Sequence, residues 1–342
     1  MTRRGLTLLL ASLLAVGLAI TGAVATVPYV ALKPGPAYDT TGSVGTTKVI
    51  SISGATEHDN AGQLDLTTVS VADHISLIEA LKGWLSPNEA ILPREIVFQP
   101  DQTQEQTNQQ NAQEMTDSQN AATTAALTYL GYKGTTTVYV GSVNKGFPAE
   151  GKLKAGDELV SIDGTKVTST TQLRSLIGRH KAGEDVTVGY VRDGRAATVT
   201  VGTVAAKDET KRPVVGAQLG TRTEFPIKVE IKLQDVGGPS AGLMFALGIV
   251  DKLGTTSLTG GRNVAGTGEI TPDGKVGPIG GIAQKMRGAK AVGATYFLSP
   301  VDNCQEARDT KPSGITLIKV STLQSALAAL KTLRDGGTPP SC

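Results

Sequence analysis

Hydrophobic and polar positions divide the chain before any residue acquires a role. After Arg3 and Arg4 no charged residue occurs until Lys33, and the run between them begins LTLLLASLLAVGLAI. About 20 predominantly apolar residues cross a bilayer, so a membrane-spanning helix is expected. The two arginines in front of it, with nothing basic soon after, orient the N-terminus to the cytoplasm and place everything beyond residue 33 outside. Ala23-Val24-Ala25 also has the spacing of a cleavable secretory signal; apolar character continuing through Val27, Tyr29, Val30 and Leu32 favours an uncleaved anchor. Residues 47–52 and 64–71 alternate as strands do, and 73–84 repeat helically, which predicts a small mixed unit. Residues 99–120, rich in Gln, Asn, Thr and Glu, lack an apolar face and read as a solvated helix or linker. A β-rich block follows, with strands over 137–143, 158–162, 185–191 and 196–201 and turn signals at Asp163-Gly164 and Asp193-Gly194. In the last third, residues 227–233 alternate, residues 240–250 are apolar all round as in a buried helix, and Pro278 to Gly281 opens a helix carrying Ile282, Met286, Ala289 and Val292 on one face.

A chain of 342 residues suggests about two domains at roughly 150 residues each, or three small ones. Apolar residues make up 39% and aromatics only 4%, enough for aliphatic cores and too little for a polytopic membrane protein. The net charge of +2 supplies no electrostatic reason to expect nucleic acid. Two cysteines, Cys304 and Cys342, cannot build a zinc site; in an exported chain they are free to pair or to remain thiols. Gly146 to Lys152 fits GxxxxGK, but Leu153 stands where a phosphate-binding loop needs Ser or Thr, and Pro148 removes a backbone donor.

The run Gly146-Phe147-Pro148-Ala149-Glu150-Gly151-Lys152-Leu153-Lys154-Ala155-Gly156-Asp157-Glu158-Leu159-Val160-Ser161-Ile162-Asp163-Gly164 resembles the middle of a bacterial PDZ domain. The resemblance implies a groove for an extended peptide, bound as an extra strand. Its helix would be Ser169 to Arg179, with Leu173, Leu176 and Ile177 as the apolar face. Tyr129-Leu130-Gly131-Tyr132 is the candidate for the carboxylate-gripping loop, unless Gly131 merely ends the preceding helix.

Ser240 falls where a strand turns into the buried helix, behind Gly237, Gly238 and Pro239, the last suited to the first helical position. A hydroxyl there faces the positive end of a helix, a place to stabilise an oxyanion; a plain N-cap is the competing reading. Gly238 to Gly242 also fits GxSxG, which would need a later histidine. The only histidines, His58, His74 and His180, all precede it, which argues against that elbow, and if Ser240 is a nucleophile the remaining precedent for its base is a lysine. Seven lysines follow. Lys285 lies within the apolar arc of its helix and Lys290 outside it; burial would leave the Lys285 amine neutral near pH 7, whereas a snorkelling lysine is the bland alternative.

Gly238-Pro239-Ser240-Ala241-Gly242, Thr267-Gly268-Glu269-Ile270, Gly274-Lys275-Val276-Gly277-Pro278-Ile279-Gly280-Gly281 and Lys285, in that order, resemble the proteolytic domain of Lon proteases over residues 215 to 330. The resemblance implies an α/β fold like the second domain of ribosomal protein S5, with Ser240 as nucleophile, Lys285 as general base and Thr267 holding the lysine amine. It implies no metal or cofactor, and a ring-like homo-oligomer. Many Lon domains place Asp three residues before the serine; Gly237 stands there, and Asp235 is two residues earlier. The whole arrangement resembles membrane-anchored bacterial PDZ Lon-like proteases without an ATPase. The expected organisation is an anchor over 1–33, a mixed α/β region over 34–124, a PDZ domain over 125–205 and a Lon-like proteolytic domain over 206–342. The expected function is ATP-independent serine endopeptidase action on unfolded or tail-tagged extracytoplasmic proteins. A membrane-tethered PDZ binding module on an inactive Lon-like scaffold is the alternative, and a hydrolase of small esters or amides a second.

Overall fold

The computed structural model describes residues 3–98, 103–206, 209–233 and 236–342. Asp235 and residues 99–102 of the polar stretch lie outside them. The chain separates into two compact units, Met1–Gly131 together with Ile227–Cys342, and Tyr132–Pro226.

Helix α1 (Arg3–Val24) is long and apolar enough to cross a membrane, and its most apolar 18-residue window is not buried against the rest of the chain. It is followed by β1 (Tyr29–Asp39), β2 (Ile50–Ser53) and β3 (Gln63–Ala72). Helix α2 (Leu77–Leu85) starts at Ser76, whose hydroxyl accepts from the Glu79 N–H while the Glu79 carboxylate accepts from the Ser76 N–H, a reciprocal cap that explains the register. β4 (Ala90–Pro93) and the single turn α3 (Arg94–Val97) come next. The polar stretch is one long helix, α4 (Gln104–Tyr129), opened by the same reciprocal cap between Thr103 and Gln106. It is not solvated all round: Met115, Ser118, Ala122, Ala125 and Ala126 are buried, a face of small side chains that lets a neighbouring helix approach.

The second unit holds β5 (Thr135–Val143), β6 (Glu158–Ile162), α5 (Thr170–Ile177), β7 (Asp185–Arg192), β8 (Arg195–Gly202) and β9 (Ala217–Glu224). These strands match the alternation read from the sequence to within two residues. Both residues of the turns Asp163-Gly164 and Asp193-Gly194 have positive φ, the hairpin geometry that such pairs favour. The sheet runs β8-β7-β6-β5-β9. β9 lies beyond residue 205 and closes the unit by pairing antiparallel with β5. The core is Val138, Val140, Leu159, Ile162, Leu173, Val186 and Val188.

The last third supplies β10 (Lys228–Ile231), α6 (Gly242–Leu253), β11 (Asn263–Gly266), β12 (Glu269–Ile270), β13 (Val276–Gly277), α7 (Ile282–Ala291), β14 (Tyr296–Pro300), α8 (Cys304–Thr310), β15 (Thr316–Val320) and α9 (Leu323–Arg334). Apart from the short pair β12–β13, its strands belong to sheets completed from elsewhere in the chain. The six strands run β15-β14-β11-β3-β1-β4: β15, β14, β11 and β3 are parallel neighbours, while β3, β1 and β4 are antiparallel. The N-terminal stretch thus completes the sheet of the last third, and β10 pairs back onto β2. Helix α6 is buried along almost its whole length, as a helix apolar on every face must be. In α7, Ile282, Met286 and Ala289 are fully buried, but Val292 is 42% exposed because the helix ends one residue before it. Cys304 and Cys342 form a disulfide, with Cα atoms 5.2 Å apart.

Candidate active site

Three elements of the first unit converge on one point. Ser240 stands in the turn before α6. It does not cap that helix: the N-cap is Ala241, and Pro239 lies ahead of the helix instead of on its first turn. Lys285 projects from the first turn of α7, and Thr267 directly follows β11. The Lys285 amine donates to Ser240 Oγ at 2.6 Å and to Thr267 Oγ1 at 3.0 Å, and the Thr267 hydroxyl donates to the Ser240 carbonyl at 2.9 Å. The three residues named from the sequence are therefore hydrogen-bonded to one another.

Lys285 is 3% exposed. Burial is the main reason its pKa falls from 10.5 to about 7, and the carboxylate of Glu269 partly opposes that fall. A neutral amine has a lone pair, so the same 2.6 Å contact can run in reverse, with Oγ–H donating to nitrogen. Glu269 is itself raised, first by burial and then by the neighbouring Glu114. Lys252 is equally buried, at 2%, but it ion-pairs with Glu57 at 3.4 Å and donates to the Thr41 carbonyl. Among the described residues Lys285 has no such carboxylate in ion-pair contact, so burial of its ammonium goes largely uncompensated.

The backbone of the turn is prepared for charge. Among the described residues, the N–H groups of Ser240 and Ala241 have no acceptor, while the Ser240 carbonyl is engaged by both Thr267 Oγ1 and the Gly268 N–H. Helix α4 holds the turn from the other side. The Asn111 carbonyl accepts from the Gly238 N–H at 3.0 Å, and the Ser118 hydroxyl donates to the Pro239 carbonyl at 2.9 Å. A Cβ on Gly237 would lie 2.8 Å from Asn111 Cβ, so the helix can sit this close only because that residue is glycine. Sequence reading missed Asn111 and Ser118; the signal was the spacing Met115, Ser118, Ala122, Ala125, faint because the side chains are small.

A cleft of about 760 Å³ opens over Ser240 and Lys285. The β3–β11 ladder ends at the Leu66–Gly266 pair. Residues 67–71 of β3 run on beyond it, still paired with β1 on the opposite side, and line the cleft. Glu114 and Glu269 are its charged walls besides Lys285. Among the described residues no three His, Cys, Asp or Glu side chains are grouped to hold a metal ion.

In the second unit a cavity of about 440 Å³ lies between α5 and the segment leading into β9, with Leu173 and Ile177 on one side and Val214 to Leu219 on the other. Tyr129 to Tyr132 does not line it. Gly131 has φ 84°, and its N–H bonds to the Thr128 carbonyl, so it ends α4. Two glycines line the cavity, Gly178 and Gly216, and of these Gly216 has φ 83° and packs against Phe147.

Comparison with known proteins bears on both units. Residues 234–331 match the model of the Lon protease (S16) C-terminal proteolytic domain, and residues 105–203 match a PDZ domain. The chain thus joins a PDZ domain to a proteolytic domain of the Lon type. Lon protease 1 of Bacillus subtilis (strain 168) is 36% identical over 119 residues, which cover 32% of this chain and 15% of the relative. The Lon protease of Azospirillum brasilense is 30% identical over 177 residues, covering 51% of this chain and 20% of the relative. The chain therefore spans a fifth or less of the length of these two relatives. Among solved structures, the PDZ domain of the SdrC-like protein from Listeria monocytogenes is 30% identical, with a TM-score of 0.23, and covers 24% of this chain and 85% of that one.

Proposed function

We propose that the chain is a serine endopeptidase working through a Ser240–Lys285 dyad, held at a membrane by α1 with its catalytic unit outside the cytoplasm. The carrying observation is the 2.6 Å contact between the Lys285 amine and Ser240 Oγ, made by a lysine that burial brings to a pKa of about 7. Neutral Lys285 takes the Ser240 hydroxyl proton as Oγ attacks a peptide carbonyl carbon. The Ser240 and Ala241 N–H groups receive the oxyanion, and Lys285 returns the proton to the leaving amine. Water, deprotonated by the same amine, then attacks the acyl carbon, and as the C–Oγ bond breaks Lys285 returns the proton to Ser240 Oγ. Thr267 fixes the lysine amine.

The cleft favours a peptide over a small ester. The β3 edge from Thr67 to Val71 offers backbone groups to which an extended chain can add as a strand. The groove between α5 and the Val214 to Leu219 segment is the reading's second peptide site, for tails of unfolded or tagged substrates. The disulfide Cys304–Cys342 suits an oxidising compartment, and nothing in the dyad chemistry consumes ATP.

The test is degradation of an unfolded protein by the full-length chain, without ATP, beside Ser240→Ala and Lys285→Ala. Loss of cleavage in both variants is expected. Cleavage surviving in either breaks the dyad, and an inert wild type leaves a tethered binding module.

A further inference from the structure

Helix α2 presents its apolar side outward. Leu77, Leu81, Trp84 and Leu85 are 43%, 48%, 56% and 88% exposed, and at 3.6 residues per turn they share one arc. Ala80 and Gly83 form the buried side, where Ile91 fills the space beside Gly83. A contiguous exposed arc of large apolar side chains marks an interaction surface.

Its position says with what. Ile78, at the flank of the arc, lies against Gly22 of α1, at 3.6 Å from where a Cβ on Gly22 would be. The Leu77 N–H donates to the Ala25 carbonyl, and the Val27 N–H to the Ile75 carbonyl. The arc therefore sits level with the last turn of α1, where a spanning helix leaves the bilayer. Trp84 packs edge-on to Tyr29 at 5.8 Å, and aromatic residues with one polar atom favour this interfacial zone. Lys82, exposed just beyond Ile78 on the same flank of the arc, is placed to keep its ammonium among headgroups.

We infer that the Leu77, Leu81, Trp84 and Leu85 face of α2 inserts into the acyl–headgroup boundary of the membrane that α1 crosses. The catalytic unit is then held on the lipid surface by two contacts, a span and an interfacial helix. This rests on reading α1 as a membrane span.

Trp84 is the single tryptophan, so its fluorescence reports this face alone. The full-length chain is reconstituted into phosphatidylcholine–phosphatidylglycerol vesicles, floated on a density gradient, and measured with and without brominated acyl chains. The expected result is flotation, blue-shifted Trp84 emission and quenching by about twofold or more, since interfacial helices bury their apolar face about 5–10 Å deep. Leu85→Glu, at the most exposed position, and Leu81→Glu are expected to reduce quenching while the chain still floats. Flotation with water-like, unquenched Trp84 overturns the inference and leaves the α1 reading standing. Blue-shifted emission that bromine does not quench also overturns it, since protein, such as a second copy, then covers the face. Failure to float removes both readings.

Discussion

The hydroxyl of Ser118 donates to the carbonyl of Pro239 across 121 residues of chain. One end of that bond is on a helix with almost no large apolar side chains; the other is the residue before the proposed nucleophile. Removing the donor leaves a carbonyl unsatisfied beside the turn that presents Ser240.

Ser118→Ala is accordingly expected to lower kcat of peptide hydrolysis by roughly 3- to 30-fold, the equivalent of one lost hydrogen bond, with KM little changed. Steady-state kinetics on a short peptide, with a melting curve alongside, checks this. A variant that melts earlier but keeps kcat would make Ser118 a packing residue only.

The pH profile of kcat/KM is expected to rise about tenfold per unit below a pKa of about 7 and then level, as Lys285 loses its proton. Glu269 favours the ammonium, so Glu269→Gln is expected to move the acid limb to lower pH. The stability sign is also determined. The folded lysine pKa lies below the unfolded one, so between about 7 and 10.5 the unfolded chain binds more protons and stability rises with pH. Lys285→Met should remove that slope in urea titrations across this window.

Asp65 is the opposite case. It is buried in β3 with Oδ2 lacking a hydrogen-bond partner among the described residues, and burial, reinforced by Asp39 and opposed by Asn263, raises its pKa to about 6. The folded state holds the proton more tightly, so stability falls as pH rises from about 4 to 6. Asp65→Asn is expected to stabilise the first unit at pH 8, by up to roughly 3 kcal/mol, and to have little effect at pH 4. Equal effects at both pH values in denaturant melts would assign the gain to packing.

Reduction of Cys304–Cys342, or Cys342→Ser, frees a loop closed over a separation of 38 residues. Loop-closure entropy predicts a loss of roughly 4 kcal/mol, and measured losses usually fall between about 2 and 5. Comparing urea midpoints of the first unit with and without reductant checks it.

Ser240, Thr267 and Lys285 were legible because each belongs to a short motif, and because the apolar arc of α7 brings Lys285 inward at helical spacing. The second unit was legible through strict alternation and through Asp-Gly turns that only a hairpin accommodates. What escaped reading depends on partners far away in the chain. The buried face of α4 is made of Ala and Ser, whose packing value appears only once α6 lies against it. The edge of β11 requires β3, and no periodicity in residues 63–72 says which strand they will join. The cavity-lining Gly216 was passed over for Gly131 because a glycine with positive φ serves a helix end as readily as a binding loop.

The parallel pairing of β3 with β11 also sets a timetable. Thr67 and Gly266, bonded across 199 residues, are made far apart in time, by roughly 10–40 s at synthesis rates of about 5–20 residues per second. Throughout that interval β3 lacks the neighbour that β11 will supply, while the whole second unit, Tyr132–Pro226, can be made and folded. A chain stopped after Ile249 and before residue 263 would carry the whole second unit and the turn around Ser240, but neither β11 nor Lys285. The proposed Ser240–Lys285 pair is therefore completed late in the life of the nascent chain, after the module proposed to choose its substrates.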